Sequence, residues 1–296
     1  MVWSIPAKTF LLGEYAVLAN GPALILTTSP CFKISMVAES SLSGIHPESP
    51  AGKYWTNCKQ AKGLSFYDPY HGLGGMGASS AQFIGAYLAS LTDSEPVHVS
   101  SLLETYFNYA WNGKGLCPSG YDVLAQISWG CSYLNKYDEI ICPYPWVFDD
   151  LAFILLHTGQ KLATHNHLLQ VGLPDNLTHL QRLVENGKDA FNTKDSQLLV
   201  ETVNAYAQAL SELNLVASHT YKLLQQLKKE SEVLAAKGCG AMGADVLFVL
   251  ISKTEHEAFC KKLVHKGLKI LATTEDLYSK AGFVENFMHK TLEISA

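Results

Sequence analysis

The sequence predicts a mixed α and β protein in two units, and three observations carry that prediction. Short apolar runs rich in branched and aromatic residues alternate with stretches of helical periodicity along the whole chain. Neither an internal repeat nor a low-complexity tract interrupts them. Pro143-Tyr144-Pro145 and Asp149-Asp150 mark a boundary that divides the 296 residues into 1–150 and 151–296, each of ordinary domain size.

Extended segments open the chain at 2–5, 9–12, 23–28 and 32–37, with turns at Asn20-Gly21-Pro22 and Ser29-Pro30. Residues 39–70 are polar, rich in Ser, Gly, Pro and Lys, and read as surface loops with room for one hairpin. A buried helix starts near Ser79, because Phe83, Ile84, Tyr87, Leu88 and Leu91 recur at helical spacing with small residues between them. Helices follow over 99–111 and 121–128, joined by 112–120, a loop with three glycines and a proline that is long for a mere connector. In the second half, 151–157 is a buried strand, then come helices over 175–186, 196–214 and 218–236. A strand over 246–252, a helix over 255–265 and a strand over 268–273 complete the pattern.

Composition removes several classes of function. Hydrophobic residues make up 48% and charged residues 17%, which excludes a disordered solvating chain. With 22 basic against 27 acidic residues there is no global field to attract nucleic acid. Arg182 is the only arginine, so any phosphate must be held by lysines and backbone N–H groups. Seven cysteines, odd in number and without a C-x-x-C pair, point to reduced thiols in the cytoplasm. No apolar run approaches the ~20 residues that cross a bilayer, so neither export nor membrane insertion is expected. His165 and His167 are the one tight histidine pair and lack the further Cys or His partners of a metal site.

The strongest local signal is Gly72-Leu73-Gly74-Gly75-Met76-Gly77-Ala78-Ser79-Ser80. A glycine-rich turn that opens a helix lets N–H groups approach an anion at the positive end of the helix dipole, and serine hydroxyls there can cap the helix or reach a phosphate-bound Mg²⁺. A flexible capped turn is the plainer alternative. Gly72, Gly74 and Gly77 also fit G-x-G-x-x-G, but the preceding Ser65 to His71 contains a proline and no aliphatic run, which weakens the dinucleotide reading. A Walker A loop is excluded, because Ala78 stands where the lysine belongs, and no H-R-D or D-F-G triplet accompanies a protein-kinase loop.

Two other segments carry unusual residues. Pro6-Ala7-Lys8 through Gly13-Glu14-Tyr15-Ala16-Val17-Leu18 places Lys8 and Glu14 at opposite ends of a short apolar strand. Lys237-Gly238-Cys239-Gly240-Ala241-Met242-Gly243-Ala244-Asp245 brings backbone close to a ligand or a neighbouring strand just before 246–252.

In this order the three segments resemble the three motifs of the GHMP kinases, the superfamily of galactokinase, homoserine kinase, mevalonate kinase and phosphomevalonate kinase. The first, P-x-K-x-x-x-x-G-E-[HY]-A-V-L, is met in full; the second, G-L-G-S-S-A-A, is met with Ala78 for the first serine. The third, G-A-G-G-G-D, is met by Gly240, Ala241, Gly243 and Asp245, with Met242 and Ala244 in place of glycines. Pro118-Ser119-Gly120-Tyr121-Asp122 fits a fourth, P-S-G-x-D. Trp111 stands where mevalonate kinases carry a magnesium-binding Glu. Together with Tyr15, the Asn112-Gly113-Lys114 tract and Thr158-Gly159-Gln160-Lys161-Leu162-Ala163-Thr164, it places the resemblance nearest phosphomevalonate kinase, with mevalonate kinase the alternative.

The resemblance implies an α/β (α+β) fold of two domains, a ribosomal-S5-like N-terminal domain and a ferredoxin-like C-terminal domain, with ATP and a small-molecule acceptor meeting between them. It implies that Gly74, Gly75, Gly77, Ala78, Ser79 and Ser80 cradle ATP, with Ser79 holding Mg²⁺. Asp122 would be the catalytic aspartate and Lys8 its ion-pair partner. Glu14, Tyr15, Ser119, Lys161, Thr164, Gly240, Ala241 and Gly243 would line the substrate. The acid that completes the Mg²⁺ shell has no spacing argument; Glu104 and Asp68 are candidates. Asp122 taken alone also fits a helix cap. Two readings of other classes stay open: a GHMP-fold protein that binds ligand without turnover, and a nicotinamide dehydrogenase.

Overall fold

The computed structural model describes residues 1–91, 97–160, 177–243 and 245–279. These residues form two sheets and eight α-helices. The first sheet holds β1 (Val2–Leu12), β2 (Ala23–Val37), β3 (Leu42–Ser43), β4 (Gly63–Tyr67), β5 (Cys131–Asn135) and β6 (Ile140–Tyr144), in the order β3-β4-β2-β5-β6 with β1 on the other edge of β2. The four extended segments read from the sequence are therefore two long strands. Proline offers no N–H to a ladder, and the β1–β2 register steps from Ile5↔Phe32 to Ala7↔Thr28, so Pro6 and Pro30 both fall inside one irregularity.

Helices α1 (Pro50–Asn57), α2 (Ala78–Ser90), α3 (Val99–Ala110) and α4 (Tyr121–Gln126) accompany this sheet. The loop reading of 39–70 needs correcting, because the stretch contains α1 and β4. Ser49 caps α1 by accepting from Gly52 N at 3.1 Å, Pro50 follows it, and Trp55 is buried beneath. The start signal is present in the sequence, but eight residues of mixed polarity give too little periodicity to support it.

The second sheet holds β7 (Leu151–His157), β8 (Val233–Cys239), β9 (Val246–Ser252) and β10 (Lys269–Thr273), all antiparallel in the order β10-β7-β9-β8. With α5 (Thr178–Thr193), α6 (Ser196–Glu212) and α7 (Ser218–Leu227) before β8, and α8 (His256–His265) before β10, this is the split βαβ order of a ferredoxin-like unit. The helix expected over 218–236 is a second correction. It stops at Leu227, and Val233 to Cys239 pairs with β9 instead, a tertiary choice that overrides the helical preference of Leu234, Ala235 and Ala236.

β7 alternates between two cores. Phe153 and Leu155 join a large cluster shared with β1, β2 and α2, whereas Ile154 and Leu156 face a smaller one with Phe259 and Leu263 of α8. Helix α5 runs on through Gly187 to Thr193, beyond the limit at 186 read from the sequence. A Cβ on Gly187 would lie 2.5 Å from Leu12 Cδ1 and 2.8 Å from Leu24 Cδ1, so the glycine is one point where the second half packs closely on the first sheet. No helix among the described residues is long and apolar enough to cross a membrane.

Candidate active site

The C-terminal end of β1, the glycine-rich turn before α2, the start of α4 and the turn between β8 and β9 border one cavity of about 760 Å³. Of the residues singled out from the sequence, Lys8, Glu14, Tyr15, Gly74, Gly75, Gly77, Ala78, Ser79, Ser119, Asp122 and Gly240 line it, and Asp245 closes one side. Four sequence segments spread over 237 positions thus converge, from Lys8 to Asp245.

The glycine turn is built from close approaches. Gly75 and Gly77 have φ of 86° and 85°, which side chains rarely adopt. A Cβ on Gly74 would meet the Asp245 carboxyl at 2.8 Å, one on Gly75 would meet Val246 Cγ2 at 2.6 Å, and one on Gly77 would meet Lys8 Cγ at 2.8 Å. Gly77 is also the N-cap of α2 and supplies no side chain, so the first-turn N–H groups of a 13-residue helix stay available to an anion. Ser79 faces the cavity. Ser80 turns inward, its hydroxyl donating to Gly77 O at 3.1 Å, so any contact it makes with a ligand is through its backbone.

Lys8 is held on three sides. Its N–H donates to Met76 O at 3.0 Å, its Nζ lies 4.9 Å from the Phe10 ring centroid, and Nζ stands 2.5 Å from Asp122 Oδ1. Asp122 is the second residue of α4, whose N-cap is Gly120 at φ 78°; the alternative role of Asp122 as the helix cap is therefore removed.

Glu14 is 4% exposed, and Lys237, with no exposure, pairs with its Oε1 at 2.5 Å. Burial pushes the Glu14 carboxyl above its ordinary range, with the Lys237 ammonium pulling the other way. Its second oxygen, Oε2, has no hydrogen-bond partner at this cavity wall. Tyr206 of α6 donates its hydroxyl to Glu14 O at 2.7 Å, and the Tyr15 hydroxyl accepts from Met242 N at 2.7 Å. Sequence reasoning missed Lys237 and Tyr206. Lys237 could have been found as a lysine inside an otherwise apolar strand run; nothing marks Tyr206 within its helix.

Other expectations fare differently. Asp68 reaches the cavity, with Oδ1 accepting from Tyr70 N at 2.8 Å and Oδ2 from Gly72 N at 2.7 Å. Glu104 is exposed on α3 and does not line the cavity, so it is dropped as a metal ligand. Gly243 packs on Gly238, where its Cβ would lie 2.7 Å from the Gly238 Cα. Ala241 sits in the short turn Ala241–Gly243. Lys161, Thr164, His165 and His167 lie outside the described residues. Trp111 and Lys114 border a second cavity of about 850 Å³ that Pro118 also lines. No group of three or more His, Cys, Asp or Glu among the described residues could hold a metal alone.

No family model and no curated protein matches the chain by sequence. Solved structures do match it. Methanococcus jannaschii mevalonate kinase aligns over 94% of this chain and 98% of its own at 13% identity and a TM-score of 0.71. Streptococcus pneumoniae phosphomevalonate kinase, in complex with phosphomevalonate and AMPPNP, aligns over 92% and 99% at 15% identity and a TM-score of 0.75. Lactococcus lactis galactokinase, complexed with galactose, aligns over 91% and 92% at 12% identity and a TM-score of 0.67. The chain has the GHMP kinase fold. A GHMP kinase fold also disposes of the dinucleotide geometry. Although β4 does precede the glycine turn, it pairs antiparallel with β2 and only over two residues in parallel with β3, so the parallel βαβ unit that fingerprint requires is missing here.

Proposed function

We propose that this protein is an ATP-dependent kinase that passes the γ-phosphoryl group of ATP to a small metabolite, with phosphomevalonate the leading acceptor and mevalonate the alternative. The observation that carries the proposal is the Lys8–Asp122 pair, 2.5 Å apart on the same cavity as a glycine turn at a helix N-terminus. Phosphoryl transfer asks a protein for positioning and charge neutralisation more than for covalent work. In this reading the α2 N-terminus and the Gly74 to Ser79 backbone hold the phosphates. An acceptor oxygen attacks the γ-phosphorus, the β–γ P–O bond breaks, and ADP leaves. Where the acceptor is a hydroxyl, Asp122 takes its proton; where it is a phosphate, Lys8 offsets its charge.

Mg²⁺ fits the residues present. It keeps several waters and needs only one or two carboxylates beside substrate phosphates, so the lack of a three-ligand cluster among the described residues is no obstacle. Ser79 and a cavity carboxylate such as Asp68 would hold it, and its chemistry would be to neutralise charge on the phosphates. Residues 1–150 and 151–296 act as two domains in this reading, with no role for nucleic acid or membrane.

The test is ADP release from Mg-ATP across a panel of phosphomevalonate, mevalonate and other small alcohols and phosphates. Turnover is expected with phosphomevalonate. Nucleotide binding without ADP release for any acceptor would instead favour a ligand-binding protein on the same fold. Thermal stabilisation by NAD and none by ATP would sink the kinase reading altogether.

A further inference from the structure

Gln126 has no solvent exposure and sits four residues beyond Asp122 on α4, hence on the same face one turn on. Its Nε2 donates to Pro6 O at 2.8 Å and to Gly77 O at 3.1 Å. Pro6 lies two residues before Lys8 on β1, and Gly77 closes the glycine turn. One side chain therefore ties together the helix that carries Asp122, the strand that carries Lys8 and the turn that opens α2.

Two features set this apart from ordinary packing. Both partners are carbonyls, which only accept, so the amide must present its NH₂ to them and its orientation is fixed. Its own Oε1 is then left buried with no partner. A methionine would occupy a similar volume without that orphaned acceptor, so the amide is explained by the two bonds it donates and not by the space it fills. The contacts are also tight, since a Cβ on Gly77 would lie 2.8 Å from Lys8 Cγ and 3.0 Å from Gln126 Nε2. A small shift of the turn must therefore move the lysine or the amide.

We propose that Gln126 is a positioning residue that fixes the spacing of Asp122, Lys8 and the phosphate-binding turn. It touches neither substrate and acts through the carbonyls of Pro6 and Gly77. The inference rests on the phosphoryl-transfer reading of this cavity, in which a displacement of about 1 Å costs on the order of 10² in rate.

The test compares wild type with Gln126→Met, which keeps the length and removes both donors, and Gln126→Asn, which keeps the amide one carbon short. Leu263→Ala, in the core of α8, serves as a destabilised control away from the cavity. Three quantities are read: the Kd for Mg-ATP, amide hydrogen exchange across residues 72–80, and kcat with the acceptor that wild type uses. Gln126→Met should weaken Mg-ATP about tenfold and lower kcat by a further factor of about 10 to 100. Exchange in 72–80 should speed up beyond that of Leu263→Ala, with Gln126→Asn intermediate on each measure. Mg-ATP affinity within twofold of wild type together with unchanged exchange in 72–80 would overturn the proposal, as would changes no larger than in the control. Should Gln126→Met not fold, Gln126→Asn decides by the same two criteria. If wild type binds Mg-ATP but turns over no acceptor, the kinase reading fails, while affinity and exchange still decide the role of Gln126.

Discussion

The ammonium of Lys8 stands 2.5 Å from the carboxylate of Asp122, with the lysine side chain 9% exposed and the aspartate side chain 40%. The backbone that carries the cation is fixed in its strand and by its N–H bond to the Met76 carbonyl, and the ammonium lies against the Phe10 ring, whereas the carboxylate leans toward the cavity. The anchored partner aims the open one.

Asp122→Asn keeps the shape and removes the charge. Turnover should fall by roughly 10² or more with Mg-ATP affinity nearly intact, the lower range for a positioned acid or base. Lys8→Met should lower kcat and kcat/KM together, the mark of a charge that acts mainly in the transition state. A phosphate acceptor should make the lysine change the worse of the two, and a hydroxyl acceptor should reverse that order. Steady-state kinetics on both variants checks this, and normal turnover in both would remove the mechanism.

Gly77→Ala and Gly72→Ala separate backbone strain from collision. Both residues have positive φ, 85° and 80°, so each alanine should cost about 1–2 kcal/mol from conformation alone. A Cβ on Gly72 would have nothing within 4 Å, whereas one on Gly77 would meet Lys8 and Gln126. Thermal unfolding should show the larger loss for Gly77→Ala, and only that variant should lose Mg-ATP affinity by an order of magnitude or more. Equal behaviour would mean that the close approach to Lys8 is unimportant.

Removing one partner of the buried Glu14–Lys237 pair strands a charge. Glu14→Gln and Lys237→Met should each cost about 3–5 kcal/mol in urea unfolding, and the double variant should recover much of it. Lys237→Met also changes the pH profile. Burial raises the Glu14 carboxyl and the opposing ammonium is gone, so the folded state binds the proton more tightly than the unfolded chain does. Stability of this variant is then fullest below the ordinary value of 4.5 and falls as pH rises through the raised folded value. A Lys237→Met protein equally stable at pH 5 and pH 8 would contradict this.

At the surface, Glu230 accepts from Lys262 and Lys266, and those bonds bring its carboxyl down to about 2. A lowered folded pKa gives stability that is present above the unfolded value of 4.5 and is lost as pH falls from there toward 2. The difference in Tm between wild type and Glu230→Gln should therefore narrow between pH 6 and pH 3. Added salt should shrink it at every pH, because the cluster faces solvent.

Elements whose pattern is local are legible in the sequence. The strands Leu151–His157 and Val246–Ser252 carry unbroken apolar runs bounded by turn residues, and their limits match the structure. α2 and α4 are likewise readable from periodicity and from the glycines before them. β8 is not, because its alanines and leucine favour helix and only the pairing with β9 makes them a strand. The strands Cys131–Asn135 and Ile140–Tyr144 also escape a sequence reading, both being only five residues long and the second, at the edge of the sheet, carrying Pro143. The site divides in the same way. Lys8, Asp122 and the glycine turn announce themselves through motifs, but Gln126 and Tyr206 matter only for what lies across from them, and a linear sequence does not record distance in space.

The bond between Glu14 and Lys237 spans 223 positions of chain. Translation at about 5–20 residues per second delivers the lysine roughly 10 to 45 s after the glutamate. Well before that interval ends the first sheet has its strands, its helices and the glycine turn, yet the carboxylate just beyond β1 still lacks the lysine it is buried against. β1 can pair with β2 and bury its apolar face before then, but the Glu14 carboxylate just beyond it cannot be buried as an ion pair until β8 is made. The wall that is made first therefore waits on one that is made late, and emergence of the N-terminal half alone is not enough for the cavity to close around Glu14.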